Sequence, residues 1–339
     1  MHQNSSVLRR LAATVLTLAA ALGVTLASGS PAQAAGEPYV ALGDSYSSGV
    51  GTRSYIDDGT ECQRSTLAYP SLLAAQRGYA LDFRACSGAT VADVTSSQLG
   101  ALNGGTALVT LSVGGNDAGF ADVLTECALP GWASDCDAAI DGAESYINNT
   151  LPGSLSGLYG SIVGLAPNAQ VVIVGYPRIF MGEDCNAATW FSPEEEARLN
   201  QTADLLNGLL SSVASSNGFG FADPTGAFIG HAVCDDPEWI NGLSNPISDS
   251  YHPNASGHSS GYAPVVGSVL GFSFAASPAL TAEAQGQGDQ IAASQQQHAA
   301  QDRGIEPDPF QAPDLHSPQV RAAAQAHGID LDRWIRNHT

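Results

Sequence analysis

The sequence predicts an α/β fold, a three-layer α/β/α sandwich built on a mostly parallel central sheet. Short apolar runs of strand length alternate with segments of helical periodicity between residues 39 and 270. Strands that are separated by helices pair in parallel, because parallel neighbours need crossover connections. Polar motifs follow three of these apolar runs, at the sheet edge where open α/β folds place their sites.

The first predicted strand and the turn after it contain the main candidate for a functional residue, Ser45. Tyr39 to Leu42 is a short apolar run that suits a strand buried on both faces. Gly43 ends the run, and Asp44 and Ser45 are residue types that start helices. A serine at such a turn lies at the carboxyl end of the sheet, where N–H groups of the helix start can stabilise an anion. Taken alone, this motif is also explained by simple helix capping.

Four further strands are predicted along the chain. Residues 79–85 alternate apolar and polar side chains, which suits a strand near the edge of the sheet. Residues 107–113 are almost continuously apolar and suit a central strand. Residues 170–175 and 219–222 supply the last two strands.

The clearest predicted helix begins after Ser192. Pro193 stands at its first position, Glu195 completes a capping box, and an Asn-Gly pair at 217–218 ends it. The other predicted helices cover residues 70–76, 137–165 with an interruption at 152–153, and 253–270, whereas residues 120–136 are predicted to be irregular.

Three later motifs change the interpretation of Ser45. Residues 86–90 (Cys-Ser-Gly-Ala-Thr) follow the second strand, and residues 114–117 (Gly-Gly-Asn-Asp) follow the third. Residues 249–253 (Asp-Ser-Tyr-His-Pro) lie near the end of the predicted core. In this order the motifs resemble the four sequence blocks of the SGNH (GDSL) hydrolase family.

The wider matches at residues 43–49 and 250–254 resemble the secreted actinobacterial (Streptomyces-type) lipases and phospholipases of that family. The resemblance covers roughly residues 39–272. It implies the flavodoxin-like form of the α/β/α sandwich and hydrolysis of carboxylic esters.

The resemblance also implies roles for particular residues. Ser45 would be the nucleophile and His252 the base, since a neutral imidazole can take the hydroxyl proton. Asp249 would hold the other imidazole nitrogen and set its tautomer. Some relatives use a backbone carbonyl instead, which here would be that of Ser250.

The donors for a developing oxyanion would be the backbone N–H groups of Ser45 and Gly88 and the side-chain amide of Asn116. Glycine suits position 88 because a side chain there would crowd the tetrahedral intermediate. Taken alone, Asn116 could equally be a turn-capping amide. Ester hydrolysis by these groups needs neither a metal nor an organic cofactor.

The charge balance excludes some partners. The chain has 12 Lys+Arg, all of them arginine, against 33 Asp+Glu. Such an acidic protein repels nucleic acid and anionic membrane surfaces. The lipid or small ester that the resemblance implies as substrate would therefore be reached by hydrophobic contact. We also expect no nucleic-acid partner, no stable membrane insertion and a monomeric state.

Six cysteines behind an export-like N-terminus favour disulfides, and the even count alone allows about fifteen pairings. A zinc site is the alternative, but no Cys-x-x-Cys spacing occurs. The resemblance implies three sequential pairs: Cys62–Cys86, Cys127–Cys136 and Cys185–Cys234.

Three regions are predicted. Residues 1–34 carry a basic start, an apolar run and an Ala-Gln-Ala cleavage site, which indicates a signal peptide and secretion. Residues 35–272 would form the catalytic domain. Residues 273–339 are poor in large apolar residues and predict a low-complexity, flexible tail with a marginal helix at 317–337.

The predicted activity is that of a lipase or esterase on acylglycerols. A phospholipase A and, further off, a carbohydrate acetylesterase are the alternatives within the family, and a non-catalytic binding protein is the alternative outside it. Six aromatic residues in predicted loops could line an acyl groove or be buried in the core: Phe120, Trp132, Phe180, Trp190, Phe191 and Trp239.

Overall fold

A five-stranded parallel sheet with the order β2-β1-β3-β4-β5 forms the centre of the protein. The strands are β1 (Pro38–Gly43), β2 (Ala80–Phe83), β3 (Leu108–Ser112), β4 (Gln170–Val174) and β5 (Gly220–Ala222). This is the flavodoxin-like order, and the strand sequence reverses direction between β1 and β3. The predicted edge position of β2 and central position of β3 are confirmed.

The computed structural model describes residues 36–307 and 309–339. The predicted signal peptide, residues 1–34, lies outside the described residues. Among the described residues, no helix is both long and apolar enough to cross a membrane.

Helices flank the sheet and complete the predicted three-layer α/β/α sandwich. Those before residue 272 are α1 (Ser45–Ser48), α2 (Tyr69–Arg77), α3 (Val91–Asp93), α4 (Phe120–Cys127), α5 (Cys136–Asn149), α6 (Leu151–Leu165), α7 (Pro193–Ser216) and α8 (Ala263–Val269). Helices α4 to α7 pack against one another, and α2 packs against α8. A short π-helical turn, Gly257–Tyr262, leads into α8.

Most helix ends follow the sequence signals, with two exceptions. The side chain of Ser192 accepts a hydrogen bond from the backbone of Glu195, and the Glu195 carboxylate bonds back to the Ser192 N–H, as the capping box predicts. The break predicted at residues 152–153 falls instead at Thr150, because Pro152 is tolerated in the first turn of α6. The second exception is α4, which occupies a stretch that we predicted to be irregular. Its buried residues Val123, Leu124 and Cys127 have helical spacing, so packing on the core stabilises this helix without a capping side chain.

Three disulfides fasten the loops. They join Cys62 to Cys86, Cys127 to Cys136 and Cys185 to Cys234, in agreement with the pairs that the resemblance implied. Cys86 precedes the glycine motif after β2, and Cys127 ends α4, so two of the three bonds brace segments next to the carboxyl edge of the sheet.

The tail differs from the flexible segment that its composition predicted. It contains α9 (Pro278–Gly286), α10 (Gly288–Gln296), α11 (Ala299–Asp302), α12 (Pro318–Ala326) and α13 (Leu331–His338). Helices α9 to α12 each bury one or two apolar side chains, such as Ile291 at 4% exposure and Val320 at 0%, whereas α13 buries none. Ile291 packs with Tyr39 and Phe83 of the first two strands. Apolar residues this sparse leave no periodic signal, yet together they attach the tail to the domain.

Candidate active site

Ser45 stands at the sharp turn between β1 and α1, where we predicted it. Gly43 has φ +124°, and a Cβ there would lie 2.3 Å from the carbonyl oxygen of Ser112 in β3. Only glycine therefore lets the chain turn this close to the neighbouring strand. Asp44 caps α1 by accepting a hydrogen bond from the backbone N–H of Tyr46, and Ser45 becomes the first helical residue.

A buried polar network supports this turn. Asp44 is 1% exposed and also accepts hydrogen bonds from the hydroxyls of Ser112, at 2.9 Å, and Tyr176. Burial raises the pKa of its carboxyl to about 6, although these three donors oppose the shift. Gln98 bonds to both backbone groups of Gly43 through its side-chain amide, at 2.7 and 2.9 Å. The turn that carries Ser45 is thus fixed by side chains from distant segments.

His252 faces Ser45 across the site. Its Nε2 lies 2.8 Å from Ser45 Oγ, and its Nδ1 lies 2.9 Å from the carbonyl oxygen of Ser250. A carbonyl oxygen can only accept, so Nδ1 carries the imidazole proton. The unprotonated Nε2 is then free to accept the Ser45 hydroxyl proton, which is the tautomer that nucleophile activation requires.

Asp249 does not hold His252, which corrects our prediction. Its carboxylate is fully buried, accepts a hydrogen bond from the hydroxyl of Tyr55 and lies 3.5 Å from Nε of Arg53. Asp249 closes a short 3₁₀ turn, and Tyr251 then adopts a left-handed conformation with φ 60°. This path turns the carbonyl of Ser250, and not the Asp249 side chain, toward the imidazole ring.

Other residues hold the histidine loop in place. The hydroxyl of Tyr46 donates to the carbonyl of Tyr251 at 2.7 Å, and its ring packs on that of His252. The side-chain amide of Asn241 donates to the carbonyls of Gly51 and His252. Our sequence reasoning missed Tyr46, Tyr55 and Asn241. Tyr46 directly follows the Gly-Asp-Ser motif, and this proximity was a usable signal.

The three residues predicted to donate to the oxyanion all border one pocket. Among the described residues, the backbone N–H groups of Ser45 and Gly88 donate to no protein acceptor. The side-chain amide of Asn116 donates one N–H to the carbonyl of Ala89 at 3.0 Å, which fixes its direction and leaves its second N–H free. His252 borders the same pocket.

The imidazole of His252 is a weaker base than usual. Burial lowers its pKa to about 4, while the carbonyl of Ser250 and the charge of Asp249 act in the opposite direction. His252 is therefore neutral through the neutral pH range. The nearby His258 is a core residue at 0% exposure, and its Nδ1 accepts a hydrogen bond from the backbone of Tyr69.

The pocket beside Ser45 is mostly apolar. It is lined by Phe120, Ala121 and Leu124 of α4, by Ile179, and by Ala203 and Leu206 of α7. Of the six aromatic residues considered for an acyl groove, Phe120 alone lines this pocket. Phe180 and Phe191 are core residues packed on Tyr251. Trp132 and Trp190 pack on Trp334 of the tail, and Trp239 stacks on His231.

The pocket lies at the carboxyl ends of β1 and β3, the switch point of the sheet. A serine hydroxyl that faces a neutral imidazole beside free N–H donors, in an α/β/α sandwich, defines the class of the serine hydrolases.

The sequence model of the GDSL-like Lipase/Acylhydrolase family matches residues 41–259, and the chain belongs to this family. It is 46% identical to Lipase 1 of Streptomyces coelicolor over 76% of this chain and 97% of that protein. The chain is an enzyme, a carboxylic ester hydrolase of the lipase and esterase kind.

Two solved structures are also similar. A phospholipase A1 from Streptomyces albidoflavus NA297 is 45% identical, with a TM-score of 0.66, and 69% of this chain covers 99% of it. An extracellular lipase from Streptomyces rimosus is 45% identical, with a TM-score of 0.65, and 68% of this chain covers 99% of it.

Proposed function

We propose that this chain is a secreted lipase or esterase that cleaves acyl esters of lipids through an acyl-enzyme on Ser45. One observation carries the proposal. The Ser45 hydroxyl and Nε2 of His252 lie 2.8 Å apart, and the carbonyl of Ser250 holds the imidazole in the tautomer that can accept the hydroxyl proton.

The first half of the reaction transfers the acyl group to the enzyme. Ser45 Oγ attacks the ester carbonyl carbon while His252 Nε2 takes the hydroxyl proton. His252 then gives this proton to the leaving alkoxide, the carbon–oxygen bond to the alcohol breaks, and the acyl group stays on Ser45. In the second half a water molecule attacks the acyl carbon while His252 Nε2 takes a proton from it. The bond between the acyl carbon and Ser45 Oγ then breaks, His252 returns the proton to Ser45 Oγ, and the carboxylic acid leaves.

The negative charge of each tetrahedral intermediate falls on the former carbonyl oxygen. In the proposed reaction the N–H groups of Ser45, Gly88 and Asn116 stabilise it. They are fixed before substrate arrives, by the helix start, the glycine turn and the bond from Asn116 to Ala89, so no reorganisation is needed during the reaction. None of these steps requires a metal or an organic cofactor.

The lipid substrate is supported by the apolar lining of the pocket and by relatives described as lipases. The second candidate is a phospholipase A, which is favoured by the similarity to the Streptomyces albidoflavus enzyme.

Secretion is supported by the N-terminal sequence, by three disulfides and by the similarity to an extracellular lipase. We keep three parts of the earlier prediction in the proposal: cleavage after residue 34, a catalytic core in residues 35–272 on which residues 273–339 pack, and the monomeric state.

Substitution of Ser45 or His252 by alanine tests the mechanism. Each change is expected to lower turnover of a soluble p-nitrophenyl ester by about 10⁴, and the double variant should lose little more, because the two residues act in one step. The exposed Ser268→Ala is the matched control and should keep full activity. Additive losses in the double variant, or activity that survives in either single variant, would contradict the proposal.

Substrate choice requires a second assay. The purified enzyme is compared on triacylglycerols and on phospholipids with the same acyl chains, by titration of the released fatty acid. A preference for triacylglycerol supports the lipase assignment, and a preference for the phospholipid replaces it with the phospholipase. Tight lipid binding with no hydrolysis of any ester would indicate the non-catalytic binding protein. Light scattering tests the monomer, and N-terminal sequencing of protein from culture medium tests cleavage after Ala34.

A further inference from the structure

The tail reaches the catalytic pocket. Residues 305–307 and 309–310, which we call the strap, follow α11, and Pro307, Pro309 and Phe310 line the same pocket as Ser45. The ring of Phe310 is 3% exposed and meets the ring of Tyr251 edge to face, with 4.8 Å between the centroids. The strap therefore supplies an apolar wall of the pocket.

The backbone of the strap also lies against Gly88. A Cβ at position 88 would meet the carbonyl oxygen of Glu306 and the Cα of Pro307, each at 2.6 Å. From the sequence, we explained the glycine at position 88 by the tetrahedral intermediate, which a side chain there would crowd. In the folded chain the strap crowds this position as well, directly beside one of the proposed oxyanion donors.

One end of the strap is clamped by buried charges. Asp302, the last residue of α11, is 1% exposed and bonds to Arg64 at 2.7 Å and to Arg84 at 3.2 Å. Both arginines belong to the domain and are 0% and 1% exposed. Arg64 has a second carboxylate partner in Asp58, whereas Arg84 pairs with Asp302 alone among the described residues. A buried charge left without a partner is costly, so the tail is a built part of the domain.

The other end is fixed on α4, across the pocket. The backbone N–H of Gln311 donates to the hydroxyl of Thr125 at 3.0 Å, and Gln319 bonds to Glu126 at 3.3 Å. Val320 of α12 is fully buried against Leu129. Because it is held at both ends, the strap is a fixed wall.

This wall is an addition to the family fold. The family model ends at residue 259, and the two solved relatives are covered to 99% by about two-thirds of this chain. Either relative thus has few residues that could correspond to the tail, and their pockets would lack an equivalent of Phe310.

We infer that the strap is the end wall of the acyl-binding pocket and that Phe310 determines the acyl-chain length the enzyme accepts. The inference rests on the proposed function. The leaving alcohol must lie at Nε2 of His252, which gives it a proton, whereas the acyl chain extends from the carbonyl whose oxygen meets Gly88. The acyl chain is the apolar part of the substrate, and the strap is anchored on α4 and lines the same pocket as the apolar side chains of α4, so its wall faces the acyl side. Asp302 touches neither substrate nor the reacting atoms and is a positioning residue.

Removal of the ring tests the wall. Phe310→Ala opens space at the end of the pocket, and each added methylene in an apolar pocket changes selectivity strongly. The ratio of kcat/KM for p-nitrophenyl dodecanoate to that for p-nitrophenyl butanoate should rise at least about tenfold above wild type. Phe310→Leu, which keeps most of the apolar volume and is the more conservative change for folding, should raise the ratio less.

Two further variants separate the wall from general destabilisation. Ile291→Ala removes a tail side chain of similar burial that packs on another part of the core, so its ratio should equal that of wild type. Asp302→Asn keeps the size of the clamp and removes its charge, so its ratio should shift in the same direction as that of Phe310→Ala. Circular dichroism and the thermal midpoint of each variant accompany the kinetics.

Several outcomes would overturn the inference. An unchanged ratio in both Phe310 variants refutes the wall, and an equal rise for both esters makes the strap a cover over the whole site. The variants are also assayed on butanoate esters of different alcohols. If the Phe310 substitutions change the selectivity for the alcohol and leave the selectivity for the acyl chain unchanged, the strap lies on the alcohol side of the pocket. If wild type hydrolyses no ester, the proposed function fails and the inference fails with it. Wild-type activity with an unchanged ratio refutes the inference alone.

Discussion

Replacement of Asp249 by asparagine separates two ways of orienting His252, the proposed catalytic base. Asp249 is fully buried, accepts from the Tyr55 hydroxyl and lies 3.5 Å from Nε of Arg53. Asparagine has nearly the same size and can still accept from Tyr55. The substitution therefore removes a charge with little change in shape.

The size of the effect depends on what holds Nδ1 of His252. If the carboxylate held it, asparagine would favour the wrong tautomer and turnover would fall by about 10⁴. In the structure Nδ1 instead lies 2.9 Å from the carbonyl oxygen of Ser250, which the substitution leaves in place. The charge of Asp249 raises the pKa of His252, so its loss lowers that pKa and keeps the base neutral. We expect a loss below about tenfold, set by small shifts of the loop.

The assay is kcat/KM on a soluble p-nitrophenyl ester at pH 7, with circular dichroism to confirm folding. Ser45→Ala gives the rate of a site without its nucleophile. Tyr55→Phe is the matched control, because it removes the hydroxyl bonded to Asp249 and keeps the charge. A loss of about 10³ or more in a folded Asp249→Asn variant would mean that the carboxylate orients His252, and our assignment of Ser250 would be refuted.

Three further predictions concern pH, the disulfides and the tail. Because burial lowers the pKa of His252 to about 4, kcat/KM should stay level from pH 8 down to pH 6 and fall only as protonation removes the base below about pH 5; an acid limb near the ordinary pKa of about 6.5 would contradict this. Serine at both cysteines of the 185–234 bond, which has a separation of 49 residues, should cost about 4 kcal/mol of unfolding free energy in urea, against about 3 kcal/mol for the 127–136 bond with its separation of 9. The reverse order would exclude the chain-entropy explanation. Truncation after Ala276 should lower stability by about 3 kcal/mol or more, because the domain loses the buried apolar contacts of Ile291, Phe310 and Val320 together with the ion pairs of Asp302; an unchanged thermal midpoint would show that the tail is dispensable.

The sequence predicted the elements whose signals are local. The five strands lie in unbroken or alternating apolar runs, and α7 carries its capping box and first-turn proline in adjacent positions. The motifs after β1, β2 and β3 could be grouped in advance because parallel strands bring their carboxyl ends to one edge. Position along the chain was therefore enough to place Ser45, Gly88 and Asn116 around one pocket.

The remaining features depend on backbone direction and on distant partners. The direction of the Ser250 carbonyl follows from the left-handed conformation of Tyr251. No residue type in that stretch indicates this conformation. A carboxylate three residues before a histidine can point either way. The tail is attached by a few buried apolar residues and by Asp302, whose partners lie more than 200 residues away in sequence. Composition alone could not reveal such pairing.

The clamp on the strap also sets an order of events during synthesis. The chain grows from its amino end, so all four catalytic motifs, from β1 to His252, are present before Asp302 has been made. The partner of Arg64 and Arg84 is Asp302, which follows them in sequence by 238 and 218 residues. Contacts between residues so far apart in sequence form slowly. The wall of the pocket therefore enters the chain after the motifs from β1 to His252, and the pocket is complete only when the tail is present.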